Sequence, residues 1–191
     1  MAYITLAEMR YILDIDNVAD DVKLVDAIDD AQSYIEDTTN RRFEANTETR
    51  YYRRAAISPE NSRLLEVDED LLTVTELLNG DADNTEIVAG NFWLYPRNFR
   101  PYSGILLKTN ITPFWQFDTD YWVEVTGTWG YSATPPGDIL RACKHLAAFY
   151  YRTKDSQVFD VTAIPEAGVI TIPQGVPATV TRILKRYLKS V

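Results

Sequence analysis

Few residues in this chain have the types and spacing for chemistry. There is one histidine, His145, and one cysteine, Cys143. Nucleophilic catalysis by a Cys–His couple needs the two side chains within hydrogen-bond reach. Both fall in a stretch with helical periodicity, where positions two apart project about 200° from each other. They read as separate packing positions, His145 at a helix seam. No second histidine exists to complete a zinc set, whose ligands must converge on one ion. The acidic groups Asp20-Asp21, Asp29-Asp30 and Asp68-Glu69-Asp70 carry the oxygens for a divalent ion or for acid–base work. Neighbouring acids on one helix diverge into solvent, and that is the simpler reading. Asp81-Ala82-Asp83-Asn84 beside Gly80 lacks the spacing and closing glutamate of a calcium loop, and reads as a turn. No phosphate-cradling glycine loop, nucleophile elbow or zinc-protease helix motif occurs. The expectation is a chain with no catalytic residue, no metal site and no cofactor, hence not an enzyme.

Two other constellations carry signal. Aromatic residues crowd the segment from Phe92 to Tyr131: Phe92, Trp93, Tyr95, Phe99, Tyr102, Phe114, Trp115, Phe117, Tyr121, Trp122, Trp129 and Tyr131. Such density serves a stacking platform for sugars or bases, an oligomer interface, or the core of a small β unit. An exposed row of Trp93, Trp115, Trp122 and Trp129 would mark a carbohydrate-binding module; joint burial would mark a core. The second constellation is Arg41-Arg42 followed by Arg50-Tyr51-Tyr52-Arg53-Arg54. Basic residues interleaved with aromatics suit phosphate contact. They equally suit an edge strand with charges turned outward, the simpler expectation.

The elements that must position these residues fall into three regions. Residues 1–43 read as helical. Thr5-Leu6-Ala7-Glu8 fits a capping box, and Leu6, Met9, Ile12 and Leu13 share a face. A break at Asp14-Ile15-Asp16-Asn17 precedes a longer helix with Leu24, Val25, Ile28, Ala31 and Ile35 as its apolar stripe. Asn40 is placed for a left-handed cap, and Phe43 for folding back on the core. Residues 44–133 alternate in short β-type runs. Leu71–Leu78 and Glu86–Ala89 predict a hairpin, followed by strands at Asn91–Tyr95, Gly104–Lys108 and Tyr121–Trp129. Residues 134–191 return to helix after Pro135-Pro136-Gly137-Asp138, with Ile139, Ala142, Leu146, Phe149 and Tyr150 buried. An extended connection over 156–177 leads to a last helix striped by Val180, Ile183, Leu184, Tyr187 and Leu188. The predicted class is α+β: one domain over 1–191, its helical core drawn from both chain ends (1–43 and 134–191), with an inserted antiparallel β unit (44–133).

Net charge is −9, which excludes a nucleic-acid binder that uses its whole surface. The distribution is uneven. Residues 1–40 hold Glu8, Asp14, Asp16, Asp20, Asp21, Asp26, Asp29, Asp30, Glu36 and Asp37 against Arg10 and Lys23. Residues 178–191 hold Arg182, Lys185, Arg186 and Lys189 and no acid. These are solvated helix faces, or complementary surfaces that orient neighbouring subunits. A lone cysteine leaves nothing dependent on an oxidising compartment. No run approaches the roughly 20 apolar residues of a membrane span, and no signal peptide is visible. A soluble protein made in a cytoplasm, without a membrane partner, is expected.

The order of the segments resembles the tailed-phage head–tail connector (adaptor, head-completion) family. Ile4–Arg10 with Leu13 resembles its opening short helix. Ala27–Glu36 running into Thr38–Phe43 resembles its second helix and following turn, and Thr47–Tyr52 the next strand. Val125–Tyr131 with Pro135-Pro136 and Ile139–Cys143 resembles the turn into the third helix. Val176–Tyr187 resembles its closing segment. Residues 53–122 are longer and more aromatic than the minimal family pattern.

The resemblance implies a virion neck protein, assembled in the host cytoplasm as a dodecameric ring between portal and a stopper or tail protein. DNA passes through its channel without sequence-specific binding. It implies portal docking through the C-terminal segment: Val180, Arg182, Ile183, Leu184, Lys185, Arg186, Tyr187 and Lys189. An acidic lumen would suit such a channel, since a negative wall makes no phosphate contacts that would hold DNA, and Asp26, Asp29, Asp30, Glu36 and Asp37 are expected on a channel-facing or inter-subunit acidic face. The other functional class is a carbohydrate-binding tail accessory built on the aromatic segment.

Overall fold

The computed structural model describes residues 2–109, 114–156, 162–164, 168–170 and 175–189. The chain divides into two compact units, Met1–Arg41 with Pro135–Val191, and Arg42–Thr134. The class is α+β, as its periodicities predict.

In the helical unit, α1 (Leu6–Leu13) starts on the expected capping box. The Glu8 amide donates to Thr5 Oγ1 at 3.2 Å, and the Thr5 amide donates back to Glu8 Oε2 at 2.9 Å. The helix ends on Asp14 in the left-handed region, φ 57°, which a short polar side chain tolerates. Met9 is fully buried, with Leu6 and Leu13 half-buried. Ile12, expected beside them, is exposed. Leu6 and Leu13 lie to one side of Met9 and Ile12 about 60° to the other, so a two-turn helix seats only the first side.

The second helix, α2 (Asp21–Thr39), buries Leu24, Ala27, Ile28, Ala31 and Ile35 and ends on Asn40 at φ 51°. Val25 belongs to its exposed face, and Ala27 takes the place expected for it. Next in this unit, α3 (Gly137–Ser156) buries Ile139, Ala142, Cys143, Leu146 and Ala147. His145 is exposed rather than at a seam, because it projects away from that stripe. The 156–177 connection, much of which lies outside the described residues, includes two short strands. These are β6 (Thr162–Ile164) and β7 (Gly168–Ile170), paired antiparallel. The last helix, α4 (Ala178–Leu184), is shorter than its apolar stripe suggests, and the chain tightens into a turn through Tyr187. Leu188 is exposed. The chain end is pinned to the end of α2. Lys189 donates its amide to the Thr39 carbonyl at 3.0 Å, satisfying one of the acceptors a helix terminus leaves open. Arg41 Nε donates to the Tyr187 carbonyl at 2.7 Å.

The β unit is one antiparallel sheet of five strands: β1 (Asn46–Tyr52), β2 (Leu64–Leu78), β3 (Phe92–Tyr95), β4 (Tyr102–Leu107) and β5 (Val123–Trp129). Their order is β1-β5-β2-β4-β3. The alternation read at 121–129 is met from Val123 on, where β5 buries Val123, Val125, Gly127 and Trp129, while Tyr121 is exposed ahead of the strand. A side chain at Gly127 would bring its Cβ to 2.1 Å from the Thr73 carbonyl oxygen, so the approach of β2 requires glycine. β2 is longer than its sequence suggests. Register shifts between Glu66 and Leu71, and again beyond Leu71, turn its first half onto β4 and its second half onto β5. The expected return strand after the polar tip shrinks to a bridge, Leu78 with Glu86, and the Ile87 amide donating to the Leu77 carbonyl at 2.8 Å. Trp129 closes the core with its indole N–H on the Glu48 carbonyl at 3.0 Å.

Candidate interaction surfaces

The first part of the arginine–tyrosine run, Arg50-Tyr51-Tyr52, ends the edge strand β1, while Arg53 and Arg54 lie beyond it, and the strand's charges are not all turned outward. The Arg50 side chain is only 18% exposed. It lies 4.8 Å over the Trp129 ring and is ion-paired with Glu48, Asp68 and Glu69. The Tyr52 hydroxyl donates to Asp68 Oδ1 at 2.6 Å, and Arg42 Nε stands 3.5 Å from the otherwise unbonded Glu69 Oε1. Burial by itself would lower the Arg50 pKa, but the carboxylates outweigh it and raise it above its ordinary value. Burial first, and then the Asp68 charge, raise Tyr52. Partial burial works to raise Asp68, yet the Tyr52 hydroxyl and Arg50 hold its carboxyl below the usual aspartate value. Arg50 is thus occupied by carboxylates rather than presented to phosphate. Arg53 lies 4.0 Å over the Trp122 ring. The acids of Asp68-Glu69-Asp70, which read as a solvated or metal-like cluster, are strand residues whose first two members neutralise Arg50.

The four tryptophans form neither an exposed row nor a single buried cluster. Trp129 is in the core, and Trp115 donates its indole N–H to the Arg63 carbonyl at 2.8 Å. Trp122 is half-buried under Arg53. Trp93 is 38% exposed, with Arg97 at 3.8 Å and Lys108 at 3.9 Å from its ring centre. A cleft of about 450 Å³ opens beside it, lined by Asn61, Arg63, Leu106, Leu107, Lys108 and Thr109. The continuous stacking row that a sugar platform needs is missing among the described residues.

In the C-terminal segment, Val180, Ile183 and Leu184 are buried and fasten α4 within its own unit. Arg182, Lys185 and Arg186 are exposed, with Tyr187 and Lys189 half-buried. Arg186 pairs with Asp138 at 2.9 Å. On α2, Asp26, Asp29, Asp30 and Asp37 are exposed, while Glu36 accepts from the Tyr3 hydroxyl at 2.6 Å and from Gln32 Nε2 at 3.0 Å. The sequence reading missed a set of exposed apolar residues on α1, the turn after it and the start of α2. Tyr11 is 89% exposed, Val18 72% and Val22 73%. The sequence carries only a weak signal: Val18, Val22 and Val25 recur at spacings of four and three, with Val22 and Val25 about 60° apart on α2 and Val18 in the turn before it.

Burial pushes the Cys143 thiol up to about 12, and the Lys144 charge only partly offsets it. Among the described residues no three His, Cys, Asp or Glu side chains gather as a metal would require. No helix of the described residues is long and apolar enough to cross a membrane.

The family model of head completion proteins matches residues 2–190. The chain belongs to the head completion protein family. It is a structural component of the head–tail connector class that its ordered segments resemble. No curated protein matches it. Solved structures do. A chain from the neck of an empty gene transfer agent particle, computed with C6 symmetry, is 23% identical, with a TM-score of 0.63 over 99% of this chain and 91% of that one. A chain from the neck of the native particle, computed with C12 symmetry, is 22% identical, with a TM-score of 0.61 over 97% and 88%. One from the virion of the native particle is 22% identical, with a TM-score of 0.62 over 99% and 91%. At these identities the likeness establishes the fold.

Proposed function

We propose that this head completion protein works by assembly rather than turnover, as one subunit of a homo-oligomeric ring in the virion neck. The ring sits between the portal and the stopper or tail protein, and DNA passes through it without sequence-specific contact. Family membership over residues 2–190 is the observation that carries the reading. The fold shared with chains of necks computed with C6 and C12 symmetry supports a ring, and the C12 symmetry favours twelve copies.

The C-terminal segment offers the portal a basic surface. Since Val180, Ile183 and Leu184 are buried, the docking contact falls to Arg182, Lys185, Arg186, Tyr187 and Lys189. The acids of α2, Asp26, Asp29, Asp30, Glu36 and Asp37, face the channel or the neighbouring copy. Removal of residues 177–191 would take core side chains with it, so point changes test the docking better. Arg182→Glu with Lys185→Glu should abolish co-sedimentation with portal-bearing particles while the circular dichroism spectrum stays that of wild type. Undiminished attachment of that variant would sink the docking assignment.

A further inference from the structure

We propose that the β3–β4 hairpin of one copy docks on the exposed α1–α2 face of the next copy, making the hairpin the donor half of the ring interface. The proposal rests on the ring reading above and names the surfaces that build it.

The hairpin ends the sheet: β3 is an edge strand, paired with β4 on one side only. Phe99 is 72% exposed, and Trp93 and Tyr95 are exposed as well. Large aromatics gathered on one exposed hairpin are what an interface uses as anchors. Around them the charge is all positive. No Asp or Glu occurs between Glu86 and Asp118, in a chain of net charge −9. Arg97 and Lys108 stack on Trp93, and Arg100 lies 5.7 Å from the Tyr102 ring centre. Among the described residues none of these three cations has a carboxylate partner.

The α1–α2 face has the matching character and the opposite sign. Tyr11, Val18 and Val22 are largely exposed, and Val25 is exposed too. Val22 and Asp29 are seven residues apart and so share one side of α2, flanked by Val25 and Asp26. Docking would cover the aromatics with valines and set guanidinium groups against carboxylates, where charge-assisted hydrogen bonds fix register. The cleft of about 450 Å³ beside Trp93 gives an anchor side chain of the partner copy a seat. Because the two patches differ and lie on the same chain, the contact is heterologous, the kind that builds a ring when the rotation from copy to copy closes. DNA fits the hairpin less well. Phosphates would answer the three cations but leave both apolar sets uncovered.

The test uses assembled particles. Phe99 is replaced by the photo-cross-linking residue p-benzoylphenylalanine, and the cross-linked peptides are identified by mass spectrometry. The expected product joins position 99 to residues 11–30 of a second copy. A cross-link to DNA or to a different protein, or none between copies, overturns the proposal. In a second arm, Arg97→Glu with Arg100→Glu, and separately Asp26→Lys with Asp29→Lys, should each lower incorporation into particles by about tenfold. The four changes together should restore it. Folded single-side variants that incorporate like wild type, or a folded fourfold variant that fails to recover, overturn it. A ring present by copy number but linked elsewhere removes only this pairing. A chain incorporated as one copy per particle removes the ring itself.

Discussion

Arg50 sits on an edge strand, where alternating arginines and tyrosines ordinarily point their charges at water. Its guanidinium instead covers Trp129 and answers Glu48, Asp68 and Glu69, while Tyr52 donates to Asp68. The placement has a pH consequence. The Asp68 carboxyl is held below its ordinary value by Tyr52 and Arg50, against the effect of its partial burial. A carboxylate whose folded pKa is depressed contributes stability above its unfolded pKa, and that contribution drains away as pH falls through the folded value. Asp68 is largely open to water, so screening keeps the contribution modest. Asp68→Asn should therefore lower stability to urea at neutral pH, and the gap to wild type should close as pH is taken below about 4. A gap of equal size at neutral pH and at about pH 2.5 would show that the carboxylate charge is not what Asn removes.

Among the elements, α1 depends most on its local signals, since it is only two turns long and fully buries Met9 alone. A helix that short owes much of its definition to its caps. Thr5→Ala removes the hydroxyl that accepts the Glu8 amide, at a cost of about 1 kcal/mol. Thermal unfolding should show that loss, with amide exchange accelerating first over residues 6–9. Local signals of this kind are what made the helices legible in the sequence: the capping box, Asn40 and the apolar spacing of α2 all depend on neighbours within a turn or two. The extent of β2 was not legible, because Asp68-Glu69-Asp70 interrupts its hydrophobic alternation. Arg50 of β1 answers Asp68 and Glu69 across the sheet, a pairing that spacing along the chain does not encode. The candidate site divides in the same way. The basic character of α4 shows in its composition. The exposed valines of α2 do not show as surface, since an apolar residue at helical spacing looks the same whether it meets a core or a partner.

At the scale of the whole molecule, the chain leaves its helical unit at Arg41 and returns to it at Pro135. Between these points the β unit closes on itself. Asn46 pairs with Trp129, and the Tyr131 amide donates to the Arg42 carbonyl at 2.8 Å, so its two ends lie side by side. An insertion whose ends meet can be exchanged for a short linker at little cost in loop closure. Replacing residues 42–134 with a short Gly–Ser linker should leave a folded helical unit that unfolds cooperatively. Cys143 supplies an internal reporter. It is fully buried against the α3 stripe and its thiol is pushed up to about 12, so it should resist thiol reagents at about pH 8 until the unit unfolds. The complementary fragment, residues 42–134, should fold by itself around Trp129 and give a near-ultraviolet signal from that immobilised indole. If Cys143 in the linker variant reacts as fast as a free thiol, the helices need the sheet to hold their core. The β unit would then be an integral part of the fold rather than an insertion carried by it.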